Sequence, residues 1–121
     1  MENGTRRESL AHEYYKRYYA RQAQGLGLRT TLEAARTRGR VDVLAEGHGV
    51  RLGIEIETGE SDVISNVRNC LASGLRVVVV ATGPKALETI ESRLGGAGLL
   101  IPGRVLVVPA PREIPRSALN R

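Results

Sequence analysis

Three acidic residues, Asp42, Glu55 and Glu57, have the types and spacing to do chemistry together. Residues two apart on a strand point the same way, so Glu55 and Glu57 share a face if 51–57 is extended. Pairing Val43 with Ile54 and Val41 with Ile56 puts the apolar residues of 41–45 and 51–57 on one side, and it sets Asp42 directly opposite Glu55. Like charges a few ångströms apart repel and raise one another's pKa, so a cation is expected among them. Oxygen-only ligands at a partly wet site suit Mg²⁺ or Mn²⁺, which keep several waters and bridge to phosphate oxygens. Such an ion would neutralise a phosphodiester, lower the pKa of the attacking water and steady the leaving oxygen. The chemistry this permits is metal-dependent hydrolysis of a nucleic-acid backbone. Spacing alone leaves a second reading open, in which the three acids are the solvated face of a hairpin.

The rest of the composition bounds the partners. The chain has 121 residues and a formal net charge of +5, and Lys16 and Lys85 are its only lysines, so the positive charge is nearly all arginine. Guanidinium forks match phosphate in two-point contacts, which favours a polyanionic partner, although a GC-rich coding sequence biases composition the same way. The length fits one domain spanning 1–121, with a core over about 8–108 and a tail over 109–121. No apolar run reaches the roughly 18 residues of a membrane span, and Glu2, Asn3 and Gly4 do not resemble a leader, so a soluble, unexported, cytoplasmic protein without membrane contact is expected. Cys70 is the single cysteine, which fits a reducing compartment, and its simplest role is a small buried residue on a helix. His12 and His48 lack metal-ligand spacing, which disfavours zinc. Gly95, Gly96 and Gly98 lack the lysine and strand-to-helix context of a phosphate loop and read as a flexible connection.

The elements that must position the acids follow from periodicity. Residues 8–24 hold no Gly or Pro and carry Leu10, Tyr14 and Tyr18 at helical spacing, which predicts the first helix. A strand over 28–34 follows, then an arginine-dense loop with Arg36, Arg38, Gly39 and Arg40. The strands 41–45 and 51–57 form a hairpin around Gly47, His48 and Gly49, with Leu44 on the polar side where Gly53 leaves room. A second helix over 62–72 is expected, capped by Ser61 and stopped by Gly74. Residues 75–81 include the run Val77 to Val80, typical of a strand covered on both faces. A third helix over 85–94 begins after Pro84, a last strand covers 105–108, and the tail is expected to be irregular or mobile. The sum is an α/β domain with a mixed sheet flanked by helices.

Gly39-Arg40-Val41-Asp42, then Ile54-Glu55-Ile56-Glu57-Thr58-Gly59, then a helix and Val77-Val78-Val79-Val80, resembles the PD-(D/E)XK nuclease superfamily. The element order over roughly 8–108 is similar to its restriction-endonuclease-like core, shared with archaeal-type Holliday junction resolvases and many restriction enzymes. The resemblance implies that Asp42 and Glu55 are the two metal-binding acids. At Glu57 the family usually has a lysine that orients and polarises the attacking water, and some restriction enzymes have glutamate. Glu57 would then be a further metal ligand or a general base, or it marks a domain that no longer cuts. Family members often add an acid from the first helix, for which Glu13 is preferred to Glu8. The missing lysine function is assigned to a helix cation, Lys16 or Arg68, and each of these could instead be plain surface charge.

The expected function is therefore a Mg²⁺- or Mn²⁺-dependent DNA endonuclease, structure-selective in the manner of a junction resolvase, and dimeric. Arg36, Arg38, Arg40, Arg68 and Lys16 are its candidate DNA contacts. Tyr14, Tyr15, Tyr18 and Tyr19 fan over too wide an arc of a helix to enter one core, so they form either a homodimer interface or a set half buried and half exposed. Two alternatives stand beside the enzyme. One is a catalytically silent DNA-binding or assembly module of nuclease fold. The other is a type II restriction enzyme, for which the chain offers little length for reading bases.

Overall fold

The structure, a computed structural model, describes residues 10–120. Its elements are α1 (Leu10–Gly25), β1 (Arg29–Ala35), β2 (Arg40–Gly47), β3 (Val50–Glu57), α2 (Val63–Ala72), β4 (Arg76–Ala81), α3 (Pro84–Gly96), β5 (Val105–Pro109) and a short 3₁₀ turn at Arg116–Leu119. The five strands form one mixed sheet in sequence order, with β1, β2 and β3 antiparallel and β3, β4 and β5 parallel. This is the expected α/β architecture with helices on both faces.

The sheet alternates cleanly where it is covered twice. Ile54, Ile56, Val78, Val80 and Val108 pack toward Tyr19, Ala20 and Ala23 of α1. Val77, Val79 and Ala81 pack the other way, toward Val63, Val67 and Cys70 of α2 and Ala86, Ile90 and Leu94 of α3. Both crossover helices lie on one face because the parallel strands advance in one direction and crossovers keep one hand.

Several elements differ from expectation for identifiable reasons. Helix α1 does not bury Leu10, which is 91% exposed, nor Tyr14; its buried residues are Lys16, Tyr19, Ala20 and Ala23, a stripe rotated from the Leu10–Tyr14–Tyr18 row. The cap of α2 is Asp62, whose side chain accepts from Ser65 N–H at 3.1 Å; Ser61 is spent elsewhere. The tail is irregular but packed. Ile114 is buried under α1, and the hydroxyls of Tyr18 and Tyr19 donate to the carbonyls of Pro111 (3.1 Å) and Arg112 (2.6 Å). Gln22 accepts from Ile114 N–H, and Arg76 Nη1 donates to Ala118 O at 2.9 Å. Burial, followed by the neighbouring Tyr18 and Tyr15, pushes the Tyr19 hydroxyl up to about 12.

The hairpin register is decisive for the acids. Its turn is His48-Gly49, both with positive φ, as a two-residue turn of matching twist requires. Val43 pairs with Ile54 and Leu44 with Gly53 as expected, but the ladder ends there, so Val41 does not pair with Ile56. The space over Gly53 is taken by Leu75, Cys70 and Val41, not by Leu44. One step further along, Glu33 of β1 adopts φ 53, and the pairing between β1 and β2 skips Glu33 and Asp42. Both strands turn over at that step: Leu32 and Val43 belong to the α1 side, Ala34 and Val41 to the α2 side. Asp42 therefore sits in the seam where β2 leaves β3.

Candidate active site

Asp42 takes over the role of the missing ladder acceptor. Its Oδ2 accepts from Ile56 N–H at 2.8 Å and meets Nε2 of His12, from α1, at 3.2 Å. His12 thus brings α1 into contact with Asp42. Glu13, the expected fourth acid, pairs along its own helix with Lys16 (3.2 Å) and Arg17 (2.7 Å). Glu8 lies outside the described residues.

Glu55 and Glu57 point to the α2 face and are only 3% and 1% exposed. Glu55 Oε2 accepts from the Cys70 thiol at 3.2 Å and lies 3.4 Å from Nε of Arg36. Glu57 is held on both oxygens, by the Ser61 hydroxyl and by Asn66 Nδ2 at 3.0 Å. Burial, then the charge of Asp42, raises the Glu55 carboxyl to about 8; the Cys70 hydrogen bond and Arg36 oppose this and Glu57 adds to it. Glu57 is also raised, by burial first and by Asp42, against the hydrogen bonds of Ser61 and Asn66 and the nearby His12. The Cys70 thiol is pushed up by burial and by Glu55, so it is a weak donor and not a nucleophile. The three acids therefore share one field, with Asp42 acting on both glutamates, although Asp42 does not face Glu55 as a ladder partner.

The expected cations divide into two groups. Arg38, Arg40 and Arg68 are exposed. Lys16 is buried and bonds Glu33 at 2.7 Å, and the Arg36 side chain is only 5% exposed and turned toward Glu55. The buried arginine reaches inward from the β1–β2 loop, where its Nη1 donates to Arg38 O at 2.5 Å and its Nη2 to Asn66 Oδ1 at 3.1 Å.

The donor set tests the metal expectation. Hard carboxylate oxygens with a raised pKa are chemically suited to a divalent ion, which would relieve the mutual repulsion. As they stand, each acid is turned to a protein partner. Among the described residues no group of three or more His, Cys, Asp and Glu side chains gathers as a ligand cage. An ion would require Asp42 and Glu55 to re-aim. One cavity of about 250 Å³ lies at the opposite end of the parallel strands, beside Arg76, Val105 and Ala118, away from the acids. A smaller one of about 160 Å³ is lined by Thr58, Gly59 and Glu60, the residues that follow Glu57 in the chain, with Lys85, Ala86 and Thr89 of α3.

Sequence reasoning missed His12, Ser61, Asn66 and the inward turn of Arg36. One signal was legible: Asn66 follows Val63 by three and precedes Cys70 by four, so it lies on the apolar stripe of α2, where an amide needs a polar partner. Among the described residues, no helix is long and apolar enough to cross a membrane. Comparison of the chain with protein-family models, with curated proteins and with solved structures gives no match.

Proposed function

We propose that this chain is a nuclease-type domain, with a restriction-endonuclease-like core, that cuts DNA as a homodimer, with branched DNA such as four-way junctions as its preferred substrate. The observation that carries the reading is the pair of buried glutamates beside Asp42 in a chain of net charge +5. Buried carboxyls whose pKa is raised are expensive to maintain and cluster at functional sites.

Asp42 and Glu55 would hold Mg²⁺ or Mn²⁺, which supplies charge neutralisation at the phosphate and a more acidic attacking water. Glu57, fixed by Ser61 and Asn66, would add a ligand or accept the water's proton. The exposed Arg38, Arg40 and Arg68 would hold backbone phosphates, which favours recognition of shape over base sequence.

A second reading, a silent DNA-binding module, is favoured by the same ties on Glu57: a residue held on both oxygens is poorly placed to serve water or metal. Incubating labelled linear, flapped and four-way DNA with and without Mg²⁺ or Mn²⁺ separates the two. The enzyme cuts only with metal, and Asp42→Ala or Glu55→Ala abolishes cutting while binding persists. Binding with no cutting of any substrate establishes the silent module.

A further inference from the structure

The acids need a positive charge, and the side-chain network shows where it comes from. Among the described residues the Arg36 guanidinium is the one guanidinium in ion-pair range of Glu55. Its orientation is set by the loop itself, through the carbonyls of Arg38 (2.5 Å) and Thr37 (3.3 Å), and by Asn66 Oδ1 (3.1 Å). The loop is in turn tied to α2 by Thr37 N–H to Ser73 Oγ at 2.8 Å. Asn66 uses its other end on Glu57 Oε2, so Arg36 and Asn66 link the two glutamates into one chain. The remaining buried donor, Nε–H of Arg36, has no hydrogen-bond partner and lies 3.4 Å from Glu55 Oε2.

We infer that Arg36 is a positioning residue, a built-in cation that aims Glu55 directly and Glu57 through Asn66, and is neither a phosphate contact nor replaceable by a helix cation. The inference rests on the proposed nuclease reading for its effect on cutting, and on geometry alone for its effect on the two glutamates. An arginine suits this place because its fork can serve loop carbonyls, an amide and a carboxylate at once, in one plane, while staying charged.

The test uses the full chain and the variants Arg36→Met, Arg36→Lys and Arg38→Met, each checked for cooperative urea unfolding. With Mg²⁺ and DNA, Arg36→Met should lose roughly 100-fold in kcat, the scale seen when one preorganised donor is removed, with KM nearly unchanged. Arg36→Lys should recover part of that loss, and Arg38→Met should instead raise KM. If Arg36→Met raises KM and spares kcat, Arg36 is a phosphate contact and the inference fails. A second readout needs neither metal nor DNA: a double-mutant cycle in urea unfolding between Arg36→Met and Asn66→Ala, and between Arg36→Met and Glu55→Gln. Non-additive losses in both cycles are expected, and additivity in both overturns the inference. Should the native chain cut nothing, the nuclease reading fails while these cycles still decide the role of Arg36.

Discussion

Glu55 holds its proton well above the ordinary carboxylate range because the folded chain removes it from water and sets Asp42 nearby. The sign of its effect on stability follows. Between 4.5, the ordinary value, and about 8, the folded state binds this proton and the unfolded state does not, so stability falls as pH rises across that window. The integrated loss from Glu55 alone is on the order of 5 kcal/mol at the upper bound. Glu57, also raised, acts in the same direction. Urea midpoints should therefore decline from pH 5 to pH 8.5, and Glu55→Gln should flatten that decline. A midpoint that rises over the same range would show that the acids are better stabilised as anions than the burial implies. The identities of these acids were legible in the sequence because alternation alone places Glu55 and Glu57 together. Their partners were not, since His12 is thirty residues from Asp42 and Cys70 fifteen from Glu55, and no local rule joins them.

At the scale of elements, the sequence marked the hairpin, the buried valine strand and both crossover helices through period, glycine and capping residues. It could not reveal the turnover at Glu33 and Asp42, because a backbone rotation at one register step leaves the residue pattern unchanged while placing Val41 and Val43 on opposite faces. That rotation brings Val41 beside Gly53, where an added Cβ would stand 3.2 Å from Val41 Cγ2, 3.2 Å from Cys70 Sγ and 3.0 Å from Leu75 Cδ1. Gly53→Ala should cost about 1–3 kcal/mol, as overpacked cores do, and should disturb Glu55 through Cys70. A neutral substitution in urea unfolding would mean that β3 has slack at this point. The tail is the other departure, since its composition suggests looseness while α1 supplies the tyrosine and glutamine groups that fasten it. Ile114→Ala should lower stability by about 2–4 kcal/mol, the range for emptying a buried aliphatic site; a loss within measurement error would mean that the tail does not hold α1 down.

For the whole molecule, Leu10 and Tyr14 stand one turn apart and exposed on α1, and this is the face through which we propose that two copies meet. Sedimentation should give a mass twice the 13.1 kDa of one chain, reduced to one chain by Tyr14→Ser. A native chain that stays monomeric at high concentration would remove the dimer from the proposal. The most direct test of the account is whether Asp42, Glu55 and Glu57 turn toward one ion when DNA is present. Electron paramagnetic resonance of Mn²⁺ titrated into the chain with bound DNA should show a saturable site on each chain, lost in Asp42→Asn with Glu55→Gln. Identical Mn²⁺ binding in the native chain and that double variant would contradict it.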